Sequence, residues 1–430
     1  MPTTTYRAEP FLEAARRLGV DVAIGSDRCH VIAEMCPGAA RGAIPLDFRD
    51  PEAAAATIVE AAGERPFAAV IPTDDRTTEI AARASERLGL RANPVEAARA
   101  ARDKRRLREA LARAGLPHPR FRVFPLDADP GAAARAVAAY PAVLKPLHLA
   151  ASRGVIRADD EPSFVAAFER IGRLLRSPDI AVLKDPAASL ILAEDFIPGV
   201  EVALEALLDP RGGLRPLALF DKPDPLDGPF FEETIYVTPS RLPDATQRAV
   251  VEAAAAAARA IGLRDGPVHA EVRIGPGGVF VIDLAARAIG GLCSRTLRFG
   301  TGVTLEELLI RHALGLPDGL ERERRPAGVM MLPIPRGGLL RGVSGIEEAS
   351  AVPGVAEVTV TQKLQTVVRP LPEGNQYLGF VFARADTPEA VEAALRAAQA
   401  RLRFDISPVL ESIDVRSEKA TPCASPDTSC

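Results

Sequence analysis

The sequence contains no tryptophan, and aromatic residues occupy only 5% of its 430 positions. Lysine is also scarce: only six of the 53 basic residues are lysine, which leaves 47 arginines. The 57 acidic residues bring the net charge to −4, which leaves no electrostatic case for nucleic-acid binding. The hydrophobic fraction of 47% still suffices for ordinary globular cores, and these must be aliphatic. The length allows about three domains.

Closely spaced cysteines and long apolar runs are missing as well. The five cysteines lie far apart, without a C-x-x-C pair, so neither a zinc site nor a disulfide framework is supported. These residues are Cys29, Cys36, Cys293, Cys423 and Cys430. No run of about 18 apolar residues occurs, and the start of the sequence lacks the basic-then-apolar pattern of a signal peptide. The composition therefore predicts a soluble, cytoplasmic protein with no membrane partner.

Residues 8–88 alternate between helical and strand patterns, which is typical of a parallel α/β sheet, and an N-terminal α/β unit is expected over 1–98. Helices are predicted over 11–18 and 51–62, and strands over 20–24 and 67–72. Asn93-Pro94 is expected to cap a further helix that runs to Gly115. This unit lacks the opening strand that such units normally have. We expect either that the natural reading frame begins upstream or that the first sheet is incomplete.

The remaining chain is predicted to form two further units and a tail. A central module is expected over 99–325, with a smaller α/β lobe at about 117–195. A separate α+β unit is expected over 326–415, and residues 416–430 are polar and expected to be disordered. Strands are predicted at 121–124, 142–145, 190–196 and 268–285, and helices after Asp160 and at 243–261, 304–314 and 387–402.

The most informative stretch is a predicted β-hairpin over 268–287. Both arms alternate with period two around a glycine-rich turn, 275–278. A three-residue Pro-Gly-Gly loop would set Val272 opposite Ile282 and Ile274 opposite Phe280, which makes one face wholly apolar. We expect that face to be buried.

The same register places Glu271 directly across from Asp283 on the other face, with Cβ atoms about 5 Å apart. Two like charges in this position destabilise a sheet unless a positive group lies between them. Mg²⁺ is the simplest candidate for this positive group, because it usually binds through one or two carboxylates together with phosphate oxygens. The alternative is a surface strand on which Arg273 and Arg287 neutralise the two acids.

A second signal is a lysine at the end of the apolar strand 142–145, followed by the small-residue loop 150–155. The ammonium of Lys145 and the backbone N–H groups of such a loop can surround phosphates. The segment is not a P-loop, because G-x-x-x-x-G-K-[ST] is absent. The alternative is a solvated lysine at a strand end, and the scarcity of lysine in this chain counts against it.

The third signal is the segment 194–201, Glu-Asp-Phe-Ile-Pro-Gly-Val-Glu. It joins a strand end, a Pro-Gly turn and a new strand, and we interpret it as a crossover between two lobes. Backbone N–H and C=O groups exposed in an apolar slot fit the edge of an adenine, and Glu201 could accept hydrogen bonds from ribose hydroxyls. If the segment stood alone, an ordinary hairpin turn would be the preferred interpretation.

These three features in this order, with Lys104 upstream, resemble the ATP-grasp superfamily. The likeness is strongest to the L-amino-acid ligase type of carboxylate–amine ligase, and it covers nearly the whole chain. It rests on Asp103-Lys104, KP…SRGV at 145–155, EDFIPGVE at 194–201, FDKPDP…FFEETIYVTPS at 220–240, HAEVRI…VIDLAARAIGG at 269–291 and GNQYLGFVFA at 374–383. The combination is specific, although no single piece is.

The resemblance implies an ATP-grasp fold of the mixed α/β and α+β class. A Rossmann-like pre-ATP-grasp domain would come first, then the ATP-grasp module with its lid lobe, then an α+β domain. The ATP site would resemble that of biotin carboxylase and carbamoyl-phosphate synthetase. ATP and Mg²⁺ are the implied cofactors, with Mn²⁺ as an alternative. The implied partners are a small-molecule carboxylate and an amine, and a homodimer is a fair expectation.

The resemblance also implies a role for each matching position. The nucleotide phosphates would be bound by Lys104 and Lys145 and covered by a loop that includes Ser152, Arg153 and Gly154. The adenine hinge would include Glu194, Phe196 and Ile197, and Glu201 would contact the ribose. The metal would lie on Glu271 and Asp283. The substrate pocket would include Glu233, Tyr236, Gly290 and Arg287, with Arg287 as the catalytic residue that holds an acyl phosphate.

Two positions depart from the family pattern. The second metal acid is usually glutamate and is here Asp283, and many relatives have asparagine where this chain has Ala285. The ligase branch often lacks that asparagine too, so Ala285 bears on the subfamily more than on activity. Cys293 is expected to be a packing residue, and His118 and His148 are expected to be loop residues.

The predicted function is an ATP-dependent carboxylate–amine ligase. It would form an amide, dipeptide-type bond through an acyl phosphate and release ADP and phosphate. One alternative is a biotin-carboxylase-like or ribonucleotide-amine ligase, which shares the ATP site and differs in the acceptor. The other is a nucleotide-binding module without turnover.

Overall fold

The computed structural model describes residues 8–27, 43–209 and 213–409. Within these ranges the chain forms twelve α-helices and two short 3₁₀ helices, at Pro186–Ser189 and Cys293–Thr296. The α-helices are α1 Ala8–Leu18, α2 Pro51–Glu64, α3 Asp75–Leu88, α4 Val95–Arg102, α5 Lys104–Arg113, α6 Pro130–Ala136, α7 Glu161–Leu175, α8 Pro178–Ala181, α9 Asp244–Ala260, α10 Leu305–Ala313, α11 Ile346–Ser350 and α12 Pro388–Gln399. None of these helices is both long and apolar enough to cross a bilayer.

Seventeen strands are found in the same part of the chain. They are β1 Ile24–Ser26, β2 Ala43–Pro45, β3 Phe121–Pro125, β4 Ala142–Pro146, β5 Ile156–Ala158, β6 Leu190–Asp195, β7 Val200–Leu208, β8 Leu214–Asp221, β9 Ile235–Thr238, β10 Gly266–Gly275, β11 Gly278–Ala285, β12 Ala327–Leu332, β13 Gly338–Ser344, β14 Val355–Val360, β15 Val367–Val368, β16 Gly379–Arg384 and β17 Arg403–Ser407. They confirm the strands predicted near 121, 142, 190 and 268–285.

An eight-stranded sheet forms the centre of the molecule, in the order β11-β10-β7-β8-β9-β12-β16-β14. One of its faces packs against α4, α5 and the alanine-rich helix α9, and the other packs against α1 and α10. Because both faces are covered, β7 is buried over almost its whole length and its sequence is apolar at most positions. The sheet continues from β9 into β12 and so runs through the boundary expected at 325/326.

A second, four-stranded antiparallel sheet forms the small lobe, in the order β3-β6-β4-β5. Helix α7 begins with a capping box in which the side chains of Asp160 and Ser163 bond each other's backbone N–H groups. It packs Phe164, Phe168 and Ile171 against the sheet. The last strand of this lobe in chain order, β6, leads within five residues into β7 of the large sheet, as the crossover interpretation of 194–201 expects.

The N-terminal region differs from the sequence prediction. Its described sheet consists of β1 and β2, which pair in parallel over three residues. Phe67–Pro72, predicted as a strand, is not assigned to a strand and is only half-buried for most of its length. It borders an apolar cavity of about 320 Å³ that also touches Phe11, Ile24 and Ile310. The expected absence of an opening strand concerns residues 1–6, and the expected disordered tail is 416–430; both lie outside the described residues.

The helix predicted from Asn93 to Gly115 is two helices, because Asp103 interrupts it. Asp103 has extended backbone angles, and its carboxylate caps α5 by accepting from the N–H groups of Arg105 and Arg106. This break places Lys104 at the first position of α5. The prediction that Asn93 caps the first helix was wrong, since its amide instead bonds the backbone of Arg264 and Asp265.

The β10–β11 hairpin has a shorter loop than predicted and an irregular register. Gly275 pairs with Gly278, so the loop holds two residues. Glu271 still faces Asp283, because a β-bulge at Ile282 offsets the shorter loop. The predicted pairs were wrong: Val272 faces Val281, and Ile274 faces Val279.

The bulge also changes which residues are buried. Val281 and Leu284 belong to the core beneath the hairpin, whereas Ile282 lines the cleft on the opposite side. The Arg108 guanidinium donates to the Ile282 carbonyl at 2.6 Å. The bulge thus turns Asp283 and its neighbour towards the cleft while an apolar face stays buried.

Candidate active site

A cleft between the small sheet and the large sheet collects most of the residues singled out from the sequence. Its lining includes Asp75, Lys104, Lys145, Ser152, Glu194, Phe196, Ile197, Glu201, Glu233, Glu271, Asp283 and Arg287. Four of the predicted residues are not part of this lining. Arg153 and Gly154 contact the C-terminal unit, Tyr236 is buried beneath Lys222, and the Gly290 carbonyl accepts from the Cys293 N–H.

The two lysines predicted to bind phosphates enter the cleft from different elements. Lys104, at the start of α5, donates from Nζ to the Leu149 carbonyl at 3.1 Å and lies 3.3 Å from a carboxylate oxygen of Asp283. Lys145 comes from β4, whose residues are all buried. Two ammonium groups therefore lie at the Asp283 end of the cleft, held by the protein's own acceptors.

Glu194 holds Lys145 in place. Its carboxylate accepts two hydrogen bonds from Arg108, at 2.8 and 3.2 Å, and lies 2.5 Å from the Lys145 ammonium. Burial raises the pKa of this carboxyl, but the adjacent guanidinium and ammonium outweigh burial and lower the pKa to about 2. The carboxylate is therefore ionised throughout the neutral range. In this structure Glu194 serves as the counter-ion of two cations at the base of the cleft.

The paired acids of the hairpin both point into the cleft. Glu271 lies 3.7 Å from Lys222 and Asp283 lies 3.3 Å from Lys104, so each carboxylate has one cationic neighbour. Partial burial opposes ionisation of Asp283, but Lys104, Lys145 and Arg108 together lower its pKa. Both acids can thus be charged side by side. The Ala285 position, where many ATP-grasp sequences have asparagine, pairs with His269.

Lys222 was not assigned a role from the sequence, although lysine is rare in this chain. Its ammonium is almost fully buried among Glu201 at 2.7 Å, Glu233 at hydrogen-bond distance and Glu271 at 3.7 Å. It also lies 5.0 Å from the centre of the Tyr236 ring. Oxygens of the three carboxylates lie within 4.8 Å of one another, and Lys222 supplies the positive charge that this arrangement needs. Burial and the nearby acid Glu271 raise the pKa of Glu233, against the effect of Lys222.

The opposite end of the cleft is apolar and aromatic. The Phe196 ring lies between two guanidinium groups, 4.5 Å from that of Arg157 and 4.9 Å from that of Arg273. Arg273 also donates to the carbonyls of Gly199 and Leu226, so it belongs to the wall of the cleft. The surface-strand alternative required Arg273 to lie beside Glu271 and Asp283. Arg273 instead lies 3.6 Å from Glu201.

Arg287 pairs with an acid from the N-terminal unit. Its Nε and one terminal nitrogen donate to both carboxylate oxygens of Asp75, at 3.0 and 2.9 Å, and its other terminal nitrogen donates to the Ala288 carbonyl. Asp75 is the first residue of α3, which Asp74 caps. The only sequence signal for Asp75 is its position after a predicted strand. The Asp75 carboxylate occupies the fork of the guanidinium, a geometry that suits carboxylates and phosphates in general.

The remaining cysteine and histidine predictions agree with the structure. Cys293 is buried in the core, with its sulfur 3.9 Å from that of Met331. His118 and His148 lie in loops. His148 forms a hydrogen bond with the Asp185 carboxylate at 2.8 Å. Burial opposes protonation of this histidine, but the neighbouring Asp103 and Asp185 outweigh burial and raise its pKa.

A divalent metal fits the Glu271–Asp283 pair better than the three-carboxylate cluster. The cluster of Glu201, Glu233 and Glu271 already has the Lys222 ammonium between its oxygens. Asp283, in contrast, has a side chain that is 38% exposed and faces open cleft. Two adjacent carboxylates at an open edge are the hard oxygen ligands that Mg²⁺ prefers.

Three family models match successive parts of the chain. An ATP-grasp N-terminal domain matches residues 12–91, an ATP-grasp domain matches 138–296, and L-amino acid ligase C-terminal domain 2 matches 330–407. Two of these three models are ATP-grasp domains, and the fold is the ATP-grasp fold predicted from the motifs.

The chain is also similar to amino-acid ligases. The crystal structure of an L-amino acid ligase from Bacillus licheniformis superposes with a TM-score of 0.75 at 28% identity, covering 92% of this chain and 95% of that one. Alanine–anticapsin ligase of Bacillus subtilis is 30% identical over 266 residues, 59% of this chain and 55% of that protein. D-alanine–D-alanine ligase of Aromatoleum aromaticum is 31% identical over 46% of this chain and 64% of that protein. The chain spans about half the length of the alanine–anticapsin ligases it matches.

Glu194, Arg108 and Lys145, here called the Glu194 triad, predict how the stability of the fold depends on pH. The folded-state pKa of about 2 is below the ordinary value of 4.5, so the carboxylate stabilises the fold above pH 4.5 and loses that effect as the pH falls towards 2. Glu194→Gln should lower the free energy of unfolding at pH 7 by roughly 3 kcal/mol. Urea unfolding at pH 7 and pH 4 would show the difference from the unsubstituted protein narrowing at the lower pH.

Glu357→Gln is the control for this experiment. It removes a carboxylate from an ion pair with Arg295 whose side chains are 44% and 36% exposed. Such a pair contributes about 0–1 kcal/mol. An equal and pH-independent loss in both variants would contradict the buried triad.

Proposed function

We propose that this chain is an ATP-dependent carboxylate–amine ligase that forms an amide bond of the dipeptide type and releases ADP and phosphate. The observation that carries the proposal is the convergence of Lys104, Lys145, Arg287 and the Glu271–Asp283 pair at one end of a single cleft. The matches to ATP-grasp and L-amino acid ligase family models and the structural likeness to an L-amino acid ligase support it. A cytoplasmic enzyme, and a homodimer, are part of the proposal.

The nucleotide would lie along the cleft with its phosphates at the Asp283 end. Phe196 and Ile197 would pack against the adenine, Glu201 would accept from the ribose, and Lys104 and Lys145 would neutralise the phosphates. The loop that includes Ser152, Arg153 and Gly154 would cover them. Lys145 suits this role because Glu194 and Arg108 fix its position before any ligand arrives, which lowers the reorganisation needed on binding.

ATP-grasp ligases generally use ATP together with Mg²⁺. Glu271 and Asp283 would hold the ion, with Mn²⁺ as an alternative. When bound, it would neutralise phosphate charge and help to align the nucleotide. Lys222 would keep Glu271 in place from the opposite side and balance the charge of Glu201 and Glu233.

The reaction would proceed in two displacements. A substrate carboxylate oxygen attacks the γ-phosphorus, and the bond to the β-phosphate oxygen breaks, which yields an acyl phosphate and ADP. The amine nitrogen then attacks the acyl carbon, the bond to the phosphate oxygen breaks, and the amine gives up a proton. The cationic side chains around the phosphates would act by positioning and by stabilising charge.

The substrate pocket would adjoin Glu233 and Arg287. Glu233 lies beside Lys222 at the end of the cleft lining, and the buried Tyr236 supports that ammonium from below. Arg287 would bind the carboxylate and later the acyl phosphate, replacing its present bond to Asp75. Gly290, three residues further along the same loop, would adjoin the pocket from outside the cleft lining.

Two positions favour a second candidate, a nucleotide-binding module without turnover. Ala285 provides no third ligand for the metal, and the shorter Asp283 stands where relatives usually have glutamate. In that case nucleotide would bind without hydrolysis for any acid–amine pair. A biotin-carboxylase-like acceptor would instead show phosphate release with bicarbonate.

Asp283→Asn should remove most of the Mg²⁺-dependent consumption of ATP, by about 100-fold or more, because one of the two metal acids loses its charge. The fold should remain intact, since no buried apolar contact is deleted. Phosphate release at increasing Mg²⁺ measures the effect. Asp405→Asn, an exposed site on β17 outside the cleft lining, is the control. Equal activity in the two variants would remove the metal assignment.

The products should be ADP and phosphate. The proposed layout places its lysines, acids and Arg287 around the terminal phosphates, and phosphate release should require both a carboxylate and an amine for the full rate. A screen of amino-acid pairs, with nucleotide products separated by ion-exchange chromatography, tests this. AMP and pyrophosphate from a working pair would refute the mechanism.

Arg287→Ala should lower turnover by about 100- to 1,000-fold while nucleotide affinity changes much less, because the guanidinium is proposed to act on the transferred group. Steady-state rates together with calorimetric binding of MgADP separate the two effects. Arg295→Ala, which deletes a partly exposed guanidinium near the C-terminal unit, should leave both quantities near their normal values. A large loss of MgADP affinity in Arg287→Ala would place this residue in the nucleotide site instead.

A further inference from the structure

The loop over the cleft has a backbone that needs outside support. Ala151 and Ser152 follow one another with φ angles of 54° and 53°, in the left-handed region that residues other than glycine seldom adopt. Such conformations persist only where the surroundings hold them. Both residues line the cleft at the place proposed for the phosphates.

The support comes from the C-terminal unit, which lies more than 200 residues away in sequence. The Gly154 N–H donates to the Pro372 carbonyl at 2.9 Å, and Arg153 Nε donates to the Glu373 carbonyl at 2.8 Å. The Glu373 carboxylate accepts two hydrogen bonds from Arg170 of α7, at 2.6 and 2.9 Å. One short segment thus binds both the cleft loop and the helix beneath it.

The C-terminal segment is itself firmly built. The Gly374 N–H donates to the Pro370 carbonyl at 2.8 Å, and a Cβ at Gly374 would lie 1.9 Å from the Arg369 carbonyl oxygen. Pro372 is buried, and the chain continues into β16 of the central sheet. The motif that begins at Gly374 therefore fixes this segment to the rigid part of the molecule.

We propose that Glu373 is a positioning residue of the nucleotide site, which holds the phosphate-covering loop closed through Arg170 and the adjacent backbone. The inference rests on the proposed function, because it takes the cleft ligand to be a nucleotide with its phosphates beneath Ala151 and Ser152. The small lobe and the C-terminal unit meet here across the cleft loop. Loss of the Glu373 contact makes the closed loop less populated, and the apparent affinity for nucleotide falls by the same fraction.

The ion pair is suited to such a role because it adds little to overall stability. The Arg170 and Glu373 side chains are 39% and 40% exposed, and pairs of this kind contribute weakly to folding. A change at Glu373 should therefore alter the loop more than the fold.

Calorimetric titration of the full chain with MgADP tests the proposal without requiring turnover. Glu373→Gln should weaken MgADP binding about three- to fivefold with an unchanged melting temperature. Glu357→Gln, in an ion pair of matched exposure with Arg295, should bind MgADP normally. In the charge exchange, Arg170→Glu and Glu373→Arg should each weaken binding, and the double variant should recover most of it.

The outcomes separate this inference from the proposed function. Normal MgADP affinity in Glu373→Gln, or a double variant no better than the singles, would overturn the role of Glu373 alone. If the unsubstituted protein bound no MgADP, the proposed function would fail and this inference with it. A melting temperature lowered in step with affinity would also overturn the inference, since it would mark a purely structural ion pair.

Discussion

The Glu194 carboxylate accepts hydrogen bonds from Arg108 and lies against Lys145 in a place that solvent hardly reaches. An isolated charge there would be very costly, so the three groups must be placed together. Glu194 comes from β6, Lys145 from β4 and Arg108 from α5, and Arg108 also binds the carbonyl of the bulged Ile282. One ionic triad therefore fixes the small lobe, the helix that begins with Lys104 and the bulge beside Asp283 in a common frame.

The hairpin shows how far alternation of apolar residues carries a prediction. The pattern correctly predicted that Glu271 faces Asp283. It did so with a loop one residue too long and without the bulge, and these two differences cancel at this pair. The alternation of a strand reports which face a residue occupies on average. It does not report where one extra residue is inserted, because Ile282 is as apolar as the neighbours that point into the core.

Residues that act through distant partners were harder to find. Lys222 meets Glu201, Glu233 and Glu271, which lie between 11 and 49 positions away, and Asp75 is 212 positions from Arg287. Rarity drew attention to the lysines, but only the folded chain shows which acids surround them. The interruption at Asp103 was missed for a related reason: helical spacing continues across it, and the break depends on a capping side chain. The family motifs, by contrast, identified the fold because they record many such contacts at once.

The central sheet passes from β9 into β12 without a gap, with Gly328 packed closely against Val391 and the Tyr236 carbonyl. The hydrogen bonds of one continuous sheet therefore cross the boundary expected between residues 325 and 326. Exchanging the C-terminal unit with that of a relative would replace β12 but not β9, so the pairing between these two strands would have to be redesigned. A chimaeric protein that takes β9 and β12 from the same parent would keep this pairing.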